Sequence, residues 1–220
     1  MPQNTCPRDD FHHVTQWVFD LDNTLYPPEM ALFDQIEVRM TAWVMDALKV
    51  GKAEADHLRQ HYWAKYGTTL AGLMREHNID PDPYLHAVHD ISFDHLQVDH
   101  DLIRHINTLP GKRIVYTNGS EPYARNVLAA RGLEGCFDAV YGVEHADFNP
   151  KPERQAFDMV FAKAGIDGAK AAMFEDDARN LAAPHDLGMR CVHVAPQRET
   201  GDHIHHHTTD LTAFLSQLTA

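Results

Sequence analysis

The sequence predicts an α/β fold: a Rossmann-like parallel sheet core with helices on both faces, plus an all-helical cap inserted after the first strand. Three observations predict it. From about Asp99 onward, short apolar runs of strand character alternate with helical patterns, the β-then-α order that builds parallel sheets. Between Thr24 and about Asp99 the apolar residues recur at helical spacing and no convincing strand occurs. The charged stretch Asp20-Leu21-Asp22-Asn23-Thr24 closes the first apolar run, at the sheet edge where ligand crevices lie in such folds.

In chain order, Val14 to Phe19 reads as the first buried strand. Leu32, Ile36, Met40, Trp43, Val44 and Ala47 recur at three- and four-residue steps, which predicts an amphipathic helix from about Glu29 to Val50, stopped at Gly51. Lys52–Tyr66, Leu70–His77 and Pro83–His89 follow as helices, separated by turn-forming residues. The alternating half begins with a helix at Asp101–Thr108, then the strand Arg113–Tyr116, the helix Glu121–Arg131 and the strand Asp138–Tyr141. It continues with the helix Glu153–Ala164, the strand Ala171–Phe174 and a helix from about Ala178 to Leu187. The strand Arg190–Val194 and the helix Leu211–Leu218 end the chain. The expected division is residues 1–25 and 97–220 for the core and 26–96 for the cap, with a ligand site at their interface.

Nineteen Lys and Arg against 32 Asp and Glu give a formal charge of −13, which argues against a nucleic acid polymer as partner. A phosphorylated substrate would need locally placed cations, and a metal ion is the obvious candidate. The terminus from Met1 to His13 is polar and no apolar run approaches the ~20 residues of a membrane span, so no membrane is expected. Cys6, Cys136 and Cys191 are widely spaced and odd in number, which suits the reduced thiols of a cytoplasmic protein.

Two carboxylates two residues apart at a strand end are costly to hold together unless a cation or a chemical task keeps them there. Asp20 and Asp22 therefore mark a site. Three further motifs fall at the ends or starts of predicted elements: Thr117-Asn118-Gly119, Lys151-Pro152 and Glu175-Asp176-Asp177. Each has an ordinary structural reading as well. The first is a common turn, Pro152 suits a helix's first turn with Lys151 solvated ahead of it, and Asp176-Asp177 could cap the next helix.

In order and composition the four motifs resemble those of the haloacid dehalogenase-like superfamily, specifically its phosphatases, over residues 14 to 194. The resemblance implies Asp20 as nucleophile, forming an aspartyl-phosphate, and Asp22 as the acid and base for leaving group and water. It implies Mg²⁺ held by Asp20, Asp176 and the Asp22 main-chain carbonyl. Thr117 and Asn118 with nearby N–H groups would receive the phosphate, and Lys151 would balance its charge. Thr24 would support the loop, and Glu175 could hold a water on the metal. Many relatives carry a second acidic metal residue where this chain has Asn180, which could orient Asp176 instead. Dehalogenase members lack the second acid, because a halide leaves without a proton.

A narrower resemblance is to the pyrimidine 5′-nucleotidase subfamily. It rests on Asp20 to Pro27 with Leu32-Phe33-Asp34-Gln35-Ile36, on Tyr66 to Leu73, on Val88-His89-Asp90-Ile91, and on Phe174-Glu175-Asp176 with Ala178-Arg179-Asn180-Leu181. It implies a small phosphorylated metabolite as ligand, namely a pyrimidine nucleoside monophosphate (UMP or CMP). Tyr26, Phe33, Trp63, Tyr66 and His89 are candidates for contact with a base, although packing explains most of them. Arg39 is expected on a solvated helix face, with contact to a substrate carbonyl or an acid across the domain gap as the alternative, and His89 and Asp90 lie near the return from cap to core. A sugar phosphate or phosphoglycolate phosphatase, a phosphomutase and a non-catalytic phosphate-ligand binding protein remain alternatives, as a monomer or homodimer. The stretch His203-Ile204-His205-His206-His207 reads as a surface connection rather than a metal site.

Overall fold

Gln16–Phe19 forms the central strand, β1, because Trp17, Val18 and Phe19 are apolar on both faces and can be covered on both. The structure, a computed structural model, describes residues 7–219, so Cys6 and the start of the polar terminus lie outside the described residues. A short helix α1 (Pro7–Phe11) precedes β1. The insert follows as α2 (Leu32–Leu48), α3 (Lys52–Tyr66), α4 (Thr69–His77) and α5 (Pro81–Val88). Then come α6 (His100–Thr108), β2 (Lys112–Tyr116), α7 (Glu121–Ala130), β3 (Ala139–Tyr141), α8 (Arg154–Ala164) and β4 (Ala171–Glu175). The chain closes with α9 (Ala182–Asp186), β5 (Arg190–Val194), β6 (His206–Thr208) and α10 (Leu211–Thr219).

The six strands are all parallel, in the order β3-β2-β1-β4-β5-β6. The chain leaves β1 for one side of the sheet and returns at β4 to build the other. The carboxyl ends of β1 and β4 therefore meet at the reversal of strand order, where a crevice forms. Side-chain alternation splits the core in two. Val18, Ile114, Tyr116 and Met173 pack on Phe157, Val160 and Phe161 of α8. On the opposite face Phe19 and Phe174 stack at 4.7 Å, and the cluster takes in Phe11, Leu102, Ile106 and Phe214. Each such fully buried aromatic contributes about 2–3 kcal/mol. That second cluster runs without a break into the insert through Tyr26, Ile36, Tyr62, Leu73, Tyr84 and Val88.

Several boundaries differ from expectation. The long helix begins at Leu32, and the stop is not Gly51 but Lys49, which takes the left-handed conformation at φ 55°; Gly51 instead precedes α3. Ala178–Leu187 is a 3-10 turn followed by the short α9. The His-rich stretch is not merely a connection. His206–Thr208 adds β6 to the sheet edge, with His206 bonded to Asp10 at 3.0 Å and His207 to the Ala195 carbonyl at 2.9 Å. Cys136 and Cys191 are buried free thiols, and burial pushes the Cys191 thiol up to about 12. Among the described residues no helix is long and apolar enough to cross a membrane.

Candidate active site

Lys151 stands at the centre of the crevice, with only 1% of its surface exposed. Its Nζ donates to Asp20 Oδ1 at 2.6 Å, to Glu175 Oε2 at 2.6 Å and to the Tyr116 carbonyl at 3.2 Å. The solvated reading of Lys151 is thereby excluded, and Pro152 lies in a turn ahead of α8 rather than in its first turn. Asn118 pins the lysine's backbone from both sides: its Oδ1 accepts the Lys151 N–H at 2.8 Å and its Nδ2 donates to the Lys151 carbonyl at 3.1 Å. The Asn118 side chain, expected on the phosphate, is engaged in positioning the lysine. The insert presses on this loop at Gly67, where φ is +87° and a Cβ would come within 2.8 Å of the Lys151 carbonyl oxygen.

β4 delivers Glu175 and Asp176. One carboxylate oxygen from each of Asp20, Glu175 and Asp176 lies within 4.8 Å of the others. Glu175 Oε1 accepts from Asn180 Nδ2 at 3.1 Å and from the Asp177 N–H at 3.3 Å. Asn180 thus orients Glu175 rather than Asp176. Asp176 is held by Asn23 Nδ2 at 3.2 Å, and its main-chain oxygen meets His193 Nε2 at 2.9 Å. Asp177 does cap the turn after β4, accepting from the Arg179 N–H at 3.0 Å. Neither Asn23 nor His193 stood out in the sequence as an orienting group.

Burial raises the Asp20 carboxyl well above its ordinary range, Glu175 adds to that, and Lys151 opposes it. Burial, then the charges of Asp20 and Glu175, raise Asp176 in the same direction. For Lys151 burial works against the charge, but Asp20 and Glu175 outweigh it and hold the ammonium protonated. Ionising all three carboxylates beside one ammonium would leave two negative charges in excess, which is why Asp20 and Asp176 resist losing their protons without a further cation. That excess and the all-oxygen donor set suit a divalent cation of the magnesium kind.

Asp22 lies beside this group, partly buried. Its Oδ1 accepts from Tyr26 Oη at 2.6 Å and from Tyr123 Oη at 2.5 Å. Burial raises its carboxyl, and the Tyr123 and Tyr26 bonds pull it back. The Tyr123 ring stacks on His89 at 4.2 Å, and His89 Nδ1 is 3.1 Å from Ser120 Oγ. Thr117 is buried, and its Oγ1 accepts the Gly119 N–H at 2.9 Å, so the turn reading holds while the hydroxyl proton remains able to donate. Thr24 is buried, and its hydroxyl has no partner among the described residues.

From these groups a cavity of about 770 Å³ extends to the insert. Of the aromatic candidates, Phe33, Trp63 and His89 line it, while Tyr26 backs Asp22 and Tyr66 turns away to bond Glu76 at 2.7 Å. Arg179 lies 3.7 Å over the Trp63 ring. Arg39 pairs with Asp90 at 3.1 Å at the surface. Lys151 and Arg59 are the only lysine or arginine in the lining among the described residues, against eight Asp and Glu.

This arrangement of strand-end acids and a buried lysine coincides with a profile match: residues 17–188 fit that of haloacid dehalogenase-like hydrolases. The chain belongs to that family. This haloacid dehalogenase-like hydrolase is 23% identical over 187 residues to Phosphate metabolism protein 8 of Saccharomyces cerevisiae, the match covering 78% of this chain and 58% of that protein. It therefore spans a little over half the length of that curated relative. Its fold is like that of a magnesium-bound HAD-type hydrolase from Bacillus subtilis (TM-score 0.61, 16% identity, 94% of this chain and 99% of that one). It is like that of a HAD phosphatase from Thermococcus onnurineus (TM-score 0.59, 19% identity, 88% and 93%). L-2-haloacid dehalogenase from Xanthobacter autotrophicus is similar too (TM-score 0.52, 20% identity, 84% and 79%). At such identities the likeness is one of fold, and the fold alone does not choose between the two chemistries.

Proposed function

We propose that this hydrolase is a magnesium-dependent phosphatase that cleaves phosphate monoesters through an aspartyl-phosphate on Asp20, with pyrimidine nucleoside 5′-monophosphates as its substrates. The observation that carries the phosphatase reading is Asp22. It is a second acid lining the same cavity as Asp20, held through one oxygen by two phenols. An alkoxide leaving group needs a proton and a halide does not.

In the first step an Asp20 oxygen bonds to phosphorus as the ester P–O bond breaks, and the departing alkoxide takes the Asp22 proton. In the second, a water gives its proton to Asp22 and attacks phosphorus, and phosphate leaves as Asp20 is restored. Lys151 fixes the Asp20 carboxylate through Oδ1 and offsets charge, and Thr117 donates to a phosphoryl oxygen. Magnesium, held by Asp20, Asp176 and the Asp22 carbonyl with Glu175 beside it, would supply the positive charge that lets a phosphate enter among so many carboxylates. Helices α2–α5 would serve as a cap that covers the site. The nucleotidase part rests on the sequence likeness inside that insert.

Phosphate release from UMP, CMP, sugar phosphates and phosphoglycolate, with and without EDTA, tests both parts. Magnesium-dependent release, at least roughly tenfold faster from the nucleotides, is expected. Release from no ester would remove the phosphatase reading. Equal rates on sugar phosphates would remove the nucleotidase part alone.

A further inference from the structure

The end of the cavity farthest in sequence from the strand loops is built by the insert, and two buried polar atoms there lack partners. Arg59 Nε and Tyr84 Oη have no hydrogen-bond partner among the described residues. Both side chains line the cavity, with Arg59 14% and Tyr84 3% exposed, while the two atoms themselves have almost no accessible surface, so a ligand group reaches them only as neighbouring side chains part. The hydroxyl of Thr69 lies near enough to perturb the Tyr84 phenol without meeting hydrogen-bond geometry. Stranded polar groups are costly, and two in one cavity wall call for a ligand group that completes them.

The surrounding charges say which group. Arg59 is already neutralised: its Nη2 donates to Glu37 at 2.9 Å, its Nη1 donates to Thr41 Oγ1 at 2.7 Å, and Asp56 stands 3.7 Å away. Asp56 in turn is held by Lys52 at 2.5 Å. Among the described residues no cation is left over there for a second anion, which would meet two carboxylates as well. An uncharged acceptor, such as a carbonyl oxygen, needs no counter-charge and can accept from Arg59 Nε–H and from Tyr84 Oη–H. Ile36, Leu70, Leu85 and Val88 give apolar walls on the way to it.

We infer that Arg59 and Tyr84 form a specificity subsite for the leaving group, one that takes a neutral, acceptor-bearing head and rejects a second carboxylate or phosphate. The inference rests on the phosphatase reading for what enters the cavity, and it deepens that reading by separating nucleosides from phosphoglycolate. The parent, Tyr84→Phe and Arg59→Lys should be compared on UMP, phosphoglycolate and phenyl phosphate, whose leaving group has no polar head. Tyr62→Phe, a buried tyrosine of the insert that bonds His77, is the control.

The UMP-to-phenyl phosphate ratio of kcat/KM should fall roughly five- to tenfold in both variants, through KM, and stay within about twofold in the control. Phosphoglycolate should be the poorer substrate of the parent. Unchanged ratios, or a preference for phosphoglycolate, would overturn the subsite. Calorimetric titration with uridine separates the two ideas. If no ester is cleaved yet uridine binds and Tyr84→Phe weakens it, the phosphatase reading falls and the subsite stands. If esters are cleaved but uridine binds the parent and Tyr84→Phe equally or not at all, the subsite falls alone.

Discussion

At the sheet end of the cavity Lys151 is 1% exposed with both anionic partners fixed at 2.6 Å, whereas at the insert end Arg59 is 14% exposed and its partner Glu37 lies 52% in solvent. The first end fixes its charged groups: Asn118, Asn180, Asn23 and two tyrosines each hold a charged neighbour, and the atoms left unpartnered there, such as Thr24 Oγ1 and Tyr116 Oη, are neutral. The second leaves a donor of its charged group, Arg59 Nε, without a partner among the described residues. Groups that must meet a transition state are best fixed beforehand by backbone ends and buried pairs. Groups that sort leaving groups can stay incomplete until one arrives.

The sharpest way to break the first end is Asp20→Asn. Turnover of any phosphate ester should fall by roughly 10³-fold or more, with the circular dichroism spectrum unchanged. A variant as fast as the parent would remove Asp20 as nucleophile. Lys151→Met is the next largest effect, and it reads stability as well. It leaves Asp20 and Glu175 buried without their cation, so metal-free protein should lose about 3–5 kcal/mol in urea unfolding at pH 7.5. Arg59→Met should cost only about 1 kcal/mol, because Glu37 has water to turn to. Equal losses at the two positions would erase the contrast between the ends.

That contrast also explains what the sequence made legible. Asp20, Glu175 and Asp176 sit at or just beyond strands whose apolar pattern is plain, so their convergence follows from strand order, whereas Lys151 reaches them from a turn ahead of α8. Lys52–Tyr66 and Arg190–Val194 match their expected bounds residue for residue, because caps and composition agree there. Tyr123 reaches Asp22 from 101 residues away, and only packing reveals that. Gly51 misled because Lys49 accepted a left-handed turn two residues earlier. β6 was illegible because a three-residue edge strand of His-His-Thr has no apolar alternation to read. The orphaned Arg59 and Tyr84 atoms are likewise a fact of burial, invisible in a charge pattern.

Acid should expose a smaller difference at the junction of the two ends. Burial pushes His89 down to about 4, against an ordinary 6.5. Between those values the unfolded chain binds the proton and the folded one does not, so stability falls as pH drops from 6.5 toward 4. The contribution is up to about 3 kcal/mol. Asp20, Asp22 and Asp176, raised by burial, act in the opposite sense as pH falls, so the effect must be read as a difference between parent and variant. In His89→Gln the slope of unfolding free energy against pH over this window should shift by up to one proton. An identical slope would mean that His89 is protonated in the folded protein.

The smallest expected effect tests whether Asp22 moves a proton. Tyr123→Phe removes one of two donors to Asp22 Oδ1 while leaving the ring stacked on His89. Those donors fix the carboxyl's orientation, and with it the oxygen that faces the leaving group. An alkoxide such as the ribose 5′-oxygen leaves only with a proton, whereas p-nitrophenolate leaves without one. The variant should therefore lose about tenfold in kcat on UMP and no more than about twofold on p-nitrophenyl phosphate. Equal losses on both esters would make Tyr123 a packing residue, and the acid would then have to be sought elsewhere in the cavity. A loss confined to the alkyl ester places the proton on Asp22, which is the step that separates a phosphatase from a dehalogenase on this fold.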